Sequence, residues 1–133
     1  MTQPIYAVLD TNVLVSALMS KTGVPAMIYE MVHNGKLIPV YDDNILDEYK
    51  EVLYRPKLGL SHMDVDALMK LFAEQGKRVV SQISEVPLPD EADRIFYDAA
   101  SQNGAMLITG NLKHFPQEPF IMAPRDFYEV HST

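Results

Sequence analysis

The chain has 133 residues, of which 47% are hydrophobic and 22% charged, enough for one packed α/β or α+β domain over 1–133 and too few for two. It has no cysteine, which excludes disulfides, thiolate metal sites and cysteine nucleophiles and suits a reducing compartment. The net charge is −7, and without a cluster of Lys and Arg this argues against a protein that coats nucleic acid by charge, yet leaves room for an enzyme whose carboxylates hold cations.

The first apolar run, Ile5 to Leu9, predicts a buried strand, and the helix after it runs from Thr11 or Asn12 to Met19. A second helix begins at Pro25, a residue suited to a first turn, and ends at His33 before Asn34 and Gly35. Leu37 to Tyr41 reads as the second strand. A third helix spans about Asn44 to Leu53 and stops at Arg55-Pro56, because the residue before a proline is pushed out of the α region. Ser61 caps a fourth helix whose Val65, Leu68, Met69 and Phe72 keep helical spacing, and Gly76 ends it. Strands follow near Arg78 to Ser81, Met106 to Thr109 and Phe120 to Met122, with a last long helix from about Glu91 to Asn103 between the first two. Strands separated by helices, with few hairpin signals, imply right-handed βαβ crossovers. The expected fold is α/β, a three-layer α/β/α sandwich with a mostly parallel sheet. No apolar stretch approaches the roughly 20 residues a membrane span needs and no leader pattern opens the sequence, so the expectation is a cytoplasmic protein without membrane contact.

Three acids stand out on that frame. Asp10 follows the first strand directly, where an open parallel sheet exposes its ligand crevice, although an aspartate there also serves as a helix cap. Glu48 shares a helix face with Ile45 and Val52, so it either reaches water at the helix edge or meets a cation. Asp93 opens the last long helix on the face of Phe96, Tyr97 and Ala100, a position that also invites capping. Three converging carboxylates would stay partly protonated unless a divalent ion neutralised them, so the set reads as a Mg²⁺ or Mn²⁺ site.

Val8-Leu9-Asp10-Thr11-Asn12-Val13-Leu14-Val15-Ser16-Ala17, Ile45-Leu46-Asp47-Glu48-Tyr49 with Arg55-Pro56-Lys57, Asp93 through Ala100 and Leu107-Ile108-Thr109-Gly110 together resemble the PIN-domain nucleases. The resemblance extends from about Ile5 to Tyr128 and is nearest to the toxin components of toxin–antitoxin systems related to VapC-type ribonucleases. It implies a PIN-like fold, metal-dependent endoribonuclease activity on single-stranded RNA, and a homodimer inhibited by an antitoxin protein. The family's acids fall on Asp10, Glu48 and Asp93, as catalytic and metal-holding residues. Its frequent fourth acid is replaced here by Asn111, which removes one charge and puts a two-metal mechanism in doubt.

Thr11, Asn12, Thr109 and Asn111 are candidates for support of the site, with capping and turn roles as alternatives for the first three. Lys113 and His114 are candidate RNA contacts, or simply solvated loop residues. A metal held by Asp10 and Asp93, with Glu48 completing the site, would activate water for in-line attack and leave 5′-phosphate and 3′-hydroxyl ends. The competing reading is a catalytically weak PIN domain that binds RNA or protein, with Asn111 as its clue. Aspartyl-phosphate enzymes are disfavoured because position 12 is Asn. Nucleotide-binding folds are disfavoured because the six glycines form no phosphate-binding motif.

Overall fold

A computed structural model describes residues 3–132. Its apolar runs become β1 (Ile5–Leu9), β2 (Leu37–Tyr41), β3 (Lys77–Arg78), β4 (Met106–Ile108) and β5 (Ile121–Met122), all parallel in the order β3-β2-β1-β4-β5. The first three strands add outward from β1 on one side, and β4 and β5 add on the other. The direction of winding therefore reverses between β1 and β4, and their carboxyl ends flank the crevice where ligands bind in such sheets. Leu9 pairs with Ile108 in register, so Asp10 and Thr109 leave the sheet side by side.

Among the described residues five helices connect the strands, α1 (Thr11–Met19), α2 (Val24–His33), α3 (Asp43–Leu53), α4 (His62–Gln75) and α5 (Arg94–Gln102), and α6 (Pro124–His131) follows the last strand. α5 packs on β1, β2 and β4, while α3 and α4 reach β2, and α2 packs on β2 and carries α6. This is the expected α/β/α sandwich. Its core is centred on Tyr49, Phe72, Phe96 and Phe127, each at most 2% exposed, and burial of each such ring stabilises by about 1.5–3 kcal/mol. Gly76 ends α4 where β2 passes closely, since a Cβ there would lie 2.8 Å from the Pro39 carbonyl oxygen and 2.5 Å from that of Phe72.

Three segments differ from the sequence expectation. The strand expected over Arg78 to Ser81 is β3 (Lys77–Arg78), extended by a single bond from the Val79 N–H to the Tyr41 carbonyl. Beyond it, α5 side chains spaced four apart take over the main chain. Gln102 binds both the N–H and the carbonyl of Gln82, Asp98 accepts from the Ser84 N–H, and Arg94 donates to the Ser84 and Val86 carbonyls. Those bonds satisfy polar groups a strand ladder would otherwise use. The last long helix is likewise shorter than expected, because a 3-10 turn over Glu91–Asp93 precedes it. Finally, α6 was not expected at all, although Pro124 at its start and fully buried Phe127 are ordinary helix signals. Among the described residues, no helix is long and apolar enough to cross a membrane.

Candidate metal centre at the sheet's switch point

Asp10 stands at the N-cap position of α1, yet its carboxylate makes no capping bond. Its Oδ2 instead accepts from the Thr109 hydroxyl at 2.7 Å and from Asn12 Nδ2 at 3.3 Å. Thr109, fully buried, also accepts at Oγ1 from the Asn111 N–H at 3.0 Å. Asn12 in turn accepts at Oδ1 from the Gly110 N–H at 3.0 Å, and a Cβ on Gly110 would press to 3.3 Å from that oxygen. The loop after β4 thus grips the loop after β1 through Thr109, Gly110 and Asn12. This arrangement holds Asp10 still and leaves Asn12 and Thr109 as its supports.

Asp93 repeats the pattern. It occupies the N-cap position of α5 without a capping bond, because Asp90 performs the local capping by accepting from the Ala92 N–H at 2.9 Å. The Asp93 Oδ2 faces His114 Nδ1 at 3.0 Å. An ionised carboxylate only accepts, so Nδ1 carries the proton of this bond. His114 is held there by a 3-10 turn over Leu112–His114 that follows Asn111, and Asn111 and Lys113 are exposed on the same turn. A groove of ≈ 410 Å³ runs along Gly110, Asn111, Leu112, Lys113, His114 and Ala123; of these His114 meets Asp93, and none of the three acids lines it.

Tyr49 joins the three elements that carry the acids. Its hydroxyl donates to the Leu9 carbonyl at 2.5 Å, immediately before Asp10. Its ring stacks on Phe96 at 6.5 Å, three residues beyond Asp93, and Glu48 precedes it on α3. A single buried side chain therefore fixes β1, α3 and α5 relative to one another. Burial, followed by the charges of Asp10, Asp42 and Glu48, pushes its phenol well above the ordinary range.

The carboxyls of all three predicted acids are raised above the ordinary range. Burial raises the Asp10 carboxyl, the Thr109 hydrogen bond partly offsets this, and the charge of Asp93 adds to the rise. Glu48, half-buried on α3, is raised first by burial and further by Glu51 and Asp10, against the pull of Arg55. Asp93 is raised by burial, lowered by His114, and raised again by Asp90 and Glu48. Each acid thus feels at least one of the others. Among the described residues, however, the set whose ligand atoms all lie within 4.8 Å of one another is Asp90, Asp93 and His114. Asp10 and Glu48 lie outside this tighter set.

The residues fit a divalent cation. Thr11 is 5% exposed and its hydroxyl makes no hydrogen bond of good geometry, although it lies near enough to Glu48 to favour that residue's charged form. A buried orphan hydroxyl beside repelling carboxylates is what a cation and its waters would satisfy. Asp10, Glu48 and Asp93 lie near enough to influence one another's charge; Asp90 and Tyr49, which sequence reading did not offer as site residues, stand beside them, and His114, offered there as an RNA contact, meets Asp93. Tyr49 looks like any core aromatic in sequence, and the bond that matters is to a main-chain carbonyl 40 positions away.

Over 115 residues the chain is 28% identical to MJ1680, an uncharacterised protein of Methanocaldococcus jannaschii, covering 80% of this chain and 71% of the other. No solved structure matches. The PIN domain family, whose members are generally metal-dependent nucleases, matches residues 6–113, most of the chain, and this chain belongs to the PIN domain family.

Proposed function

We propose that the protein is a metal-dependent endoribonuclease acting on single-stranded RNA. The observation that carries this reading is that Asp10 and Asp93 make no capping bond and instead meet Thr109 and His114, both on the segment that ends β4 and follows it, with the charge of Asp93 bearing on Asp10. When bound there, Mg²⁺ or Mn²⁺ supplies positive charge to the phosphodiester and lowers the pKa of an attacking water. Asp10 and Asp93 would hold the ion, and Glu48 would complete the set or orient that water. Thr109 and Asn12 keep Asp10 in place by hydrogen bonds to Oδ2, and Thr11 supports Glu48. Lys113, exposed beside the groove, would meet the RNA backbone. With Asn111 in place of a fourth acid, the cleft has one charge fewer with which to hold a second ion. Hydrolysis would leave 5′-phosphate and 3′-hydroxyl ends.

We further propose that the protein is the toxin of a toxin–antitoxin pair, acting in the cytoplasm as a homodimer restrained by an antitoxin. What supports this is the family together with the sequence resemblance described above. The decisive experiment is cleavage of a mixed-sequence single-stranded RNA by purified protein with Mg²⁺ or Mn²⁺, with chelator, and with Asp93→Asn. Cleavage that needs both metal and Asp93 is expected. Folded protein that binds RNA and never cuts it would replace the nuclease by a binding module.

A further inference from the structure

We propose that the cleft between the start of α3, the segment after β3 and the first turns of α5 is a docking site for an arginine on a basic, partly apolar segment of a partner protein. It shares no residue with the metal-holding acids and does not depend on the nuclease reading. The cleft, of ≈ 280 Å³, is lined by Asp42, Ser81, Ile83, Glu91, Arg94 and Asp98 among others. Asp98 is 4% exposed, and its Oδ2 accepts from the Ser84 N–H at 3.0 Å. Its buried Oδ1 and the buried Ser81 Oγ have no hydrogen-bond partner among the described residues. Native proteins rarely leave such atoms unmatched, so the pair marks where a donor from outside belongs.

Arg94 does not supply that donor. Its Nε and both terminal nitrogens already donate to Glu91, to the Ser84 and Val86 carbonyls and to the Ser84 hydroxyl, which exhausts its five N–H groups. The carboxylates of Asp42, Glu91 and Asp98 thus outnumber the one committed guanidinium, and the cleft favours a positive donor. A bare ion fits poorly, because among the described residues the ligand atoms close enough to share one belong to Asp90, Asp93 and His114, none of which lines the cleft. A guanidinium instead carries several donors on a rigid fork and can present separate ones to Asp98 Oδ1 and Ser81 Oγ. The rim is apolar, with Val80 79% and Ile83 88% exposed although the segment is tied to α5. The volume falls below the about 300–1,000 Å³ of pockets that take whole ligands and suits one long side chain, and an arginine ringed by apolar contacts is a common interface anchor.

The test is a ¹H–¹⁵N titration of the folded protein, in the presence of Mg²⁺, with acetyl-Leu-Arg-Leu-amide, with the same peptide carrying neutral citrulline, and with ethylguanidinium as a free cation. The arginine peptide is expected to shift the amides of Ser81 to Ser84 and Arg94 to Asp98, and to bind roughly tenfold or more tightly than the citrulline peptide, an advantage lost in Asp98→Asn. That variant keeps an oxygen for the Ser84 N–H. Ser81→Ala and Ile83→Ser, which leave Asp98 in place, should each weaken the arginine peptide several-fold. Ethylguanidinium binding as tightly as the peptide, with no change in Ile83→Ser, would replace the partner segment by a free small cation. Shifts confined to Asp10, Asp93 and Gly110 to His114 would move the cation to the metal crevice, and no shift with any probe would show the two buried oxygens to be met by solvent. Each of these three results overturns the proposal and leaves the nuclease reading untouched.

Discussion

Two places in this chain are built alike and behave differently. β1 and β2 are both buried apolar strands ending in a buried aspartate that leads into a helix, Asp10 at 5% exposure and Asp42 at 6%. Asp42 caps: its Oδ1 accepts from the Ile45 N–H at 2.8 Å. Asp10 does not, and gives Oδ2 to Thr109 and Asn12 across the crevice. The difference lies in what stands beside each strand end. β1 pairs with β4, which brings Thr109 into reach and opens the switch-point crevice, whereas β2 lies between β1 and the two-residue β3. A strand-end aspartate is thus a cap or a site according to its neighbour in the sheet, and the local sequence does not distinguish them.

Exchanging the acids one at a time breaks this comparison most directly. Asp10→Asn is expected to reduce metal-dependent cleavage by roughly 10²- to 10⁴-fold, while Asp42→Asn leaves cleavage within a few-fold of wild type and Asp42→Ala costs about 1 kcal/mol through the lost cap. Initial rates and denaturant unfolding of the three variants check it. Equal loss of activity in the Asp10 and Asp42 variants would abolish the distinction.

A second measurement concerns Tyr49, which holds the Asp10 strand end but not that of Asp42. Tyr49→Phe keeps the ring on Phe96 and removes the donor to the Leu9 carbonyl. Loss of this bond costs about 1–3 kcal/mol in unfolding free energy, and metal affinity should fall with it as β1 and α3 loosen.

Thr109→Val removes the hydroxyl that donates to Asp10 and accepts from Asn111. A supporting hydrogen bond of this kind is worth roughly 10- to 100-fold in metal affinity. Calorimetry should show the weakened metal binding, with circular dichroism unchanged.

The smallest effect is on stability against pH. The carboxyls of Asp10, Glu48 and Asp93 are all raised in the folded state. The folded chain therefore binds their protons more tightly than the unfolded chain does. In the metal-free protein these groups stabilise the fold when protonated, and that contribution is lost as pH rises from the ordinary carboxylate range through their raised values. Thermal unfolding of metal-free protein should accordingly show Asp10→Asn at least as stable as wild type near pH 7, with the gap closing in acid. Mn²⁺ should restore wild type and not the variant. A stability difference independent of pH and metal would show that charge at Asp10 is not what opposes folding.

Sequence alone determined most of the scaffold and proposed the three acids. Apolar runs bounded by proline, glycine and capping residues mark where strands and helices lie, because burial periodicity and main-chain sterics act over a few residues. That sufficed for β1, β2, α1 to α4 and the family resemblance, and it placed Asp10 after β1 and Glu48 on α3, while Asp93 fell in the 3-10 turn ahead of α5. Tertiary structure decided the rest. The length of β3 depends on Arg94, Asp98 and Gln102 taking up the chain that follows it. Capping passes from Asp93 to Asp90, so that Asp93 meets His114. Whether a strand-end aspartate caps a helix or faces a cation depends on which strand lies alongside, and that pairing joins residues about a hundred positions apart, Asp10 to Thr109, through a sheet order that no local pattern encodes.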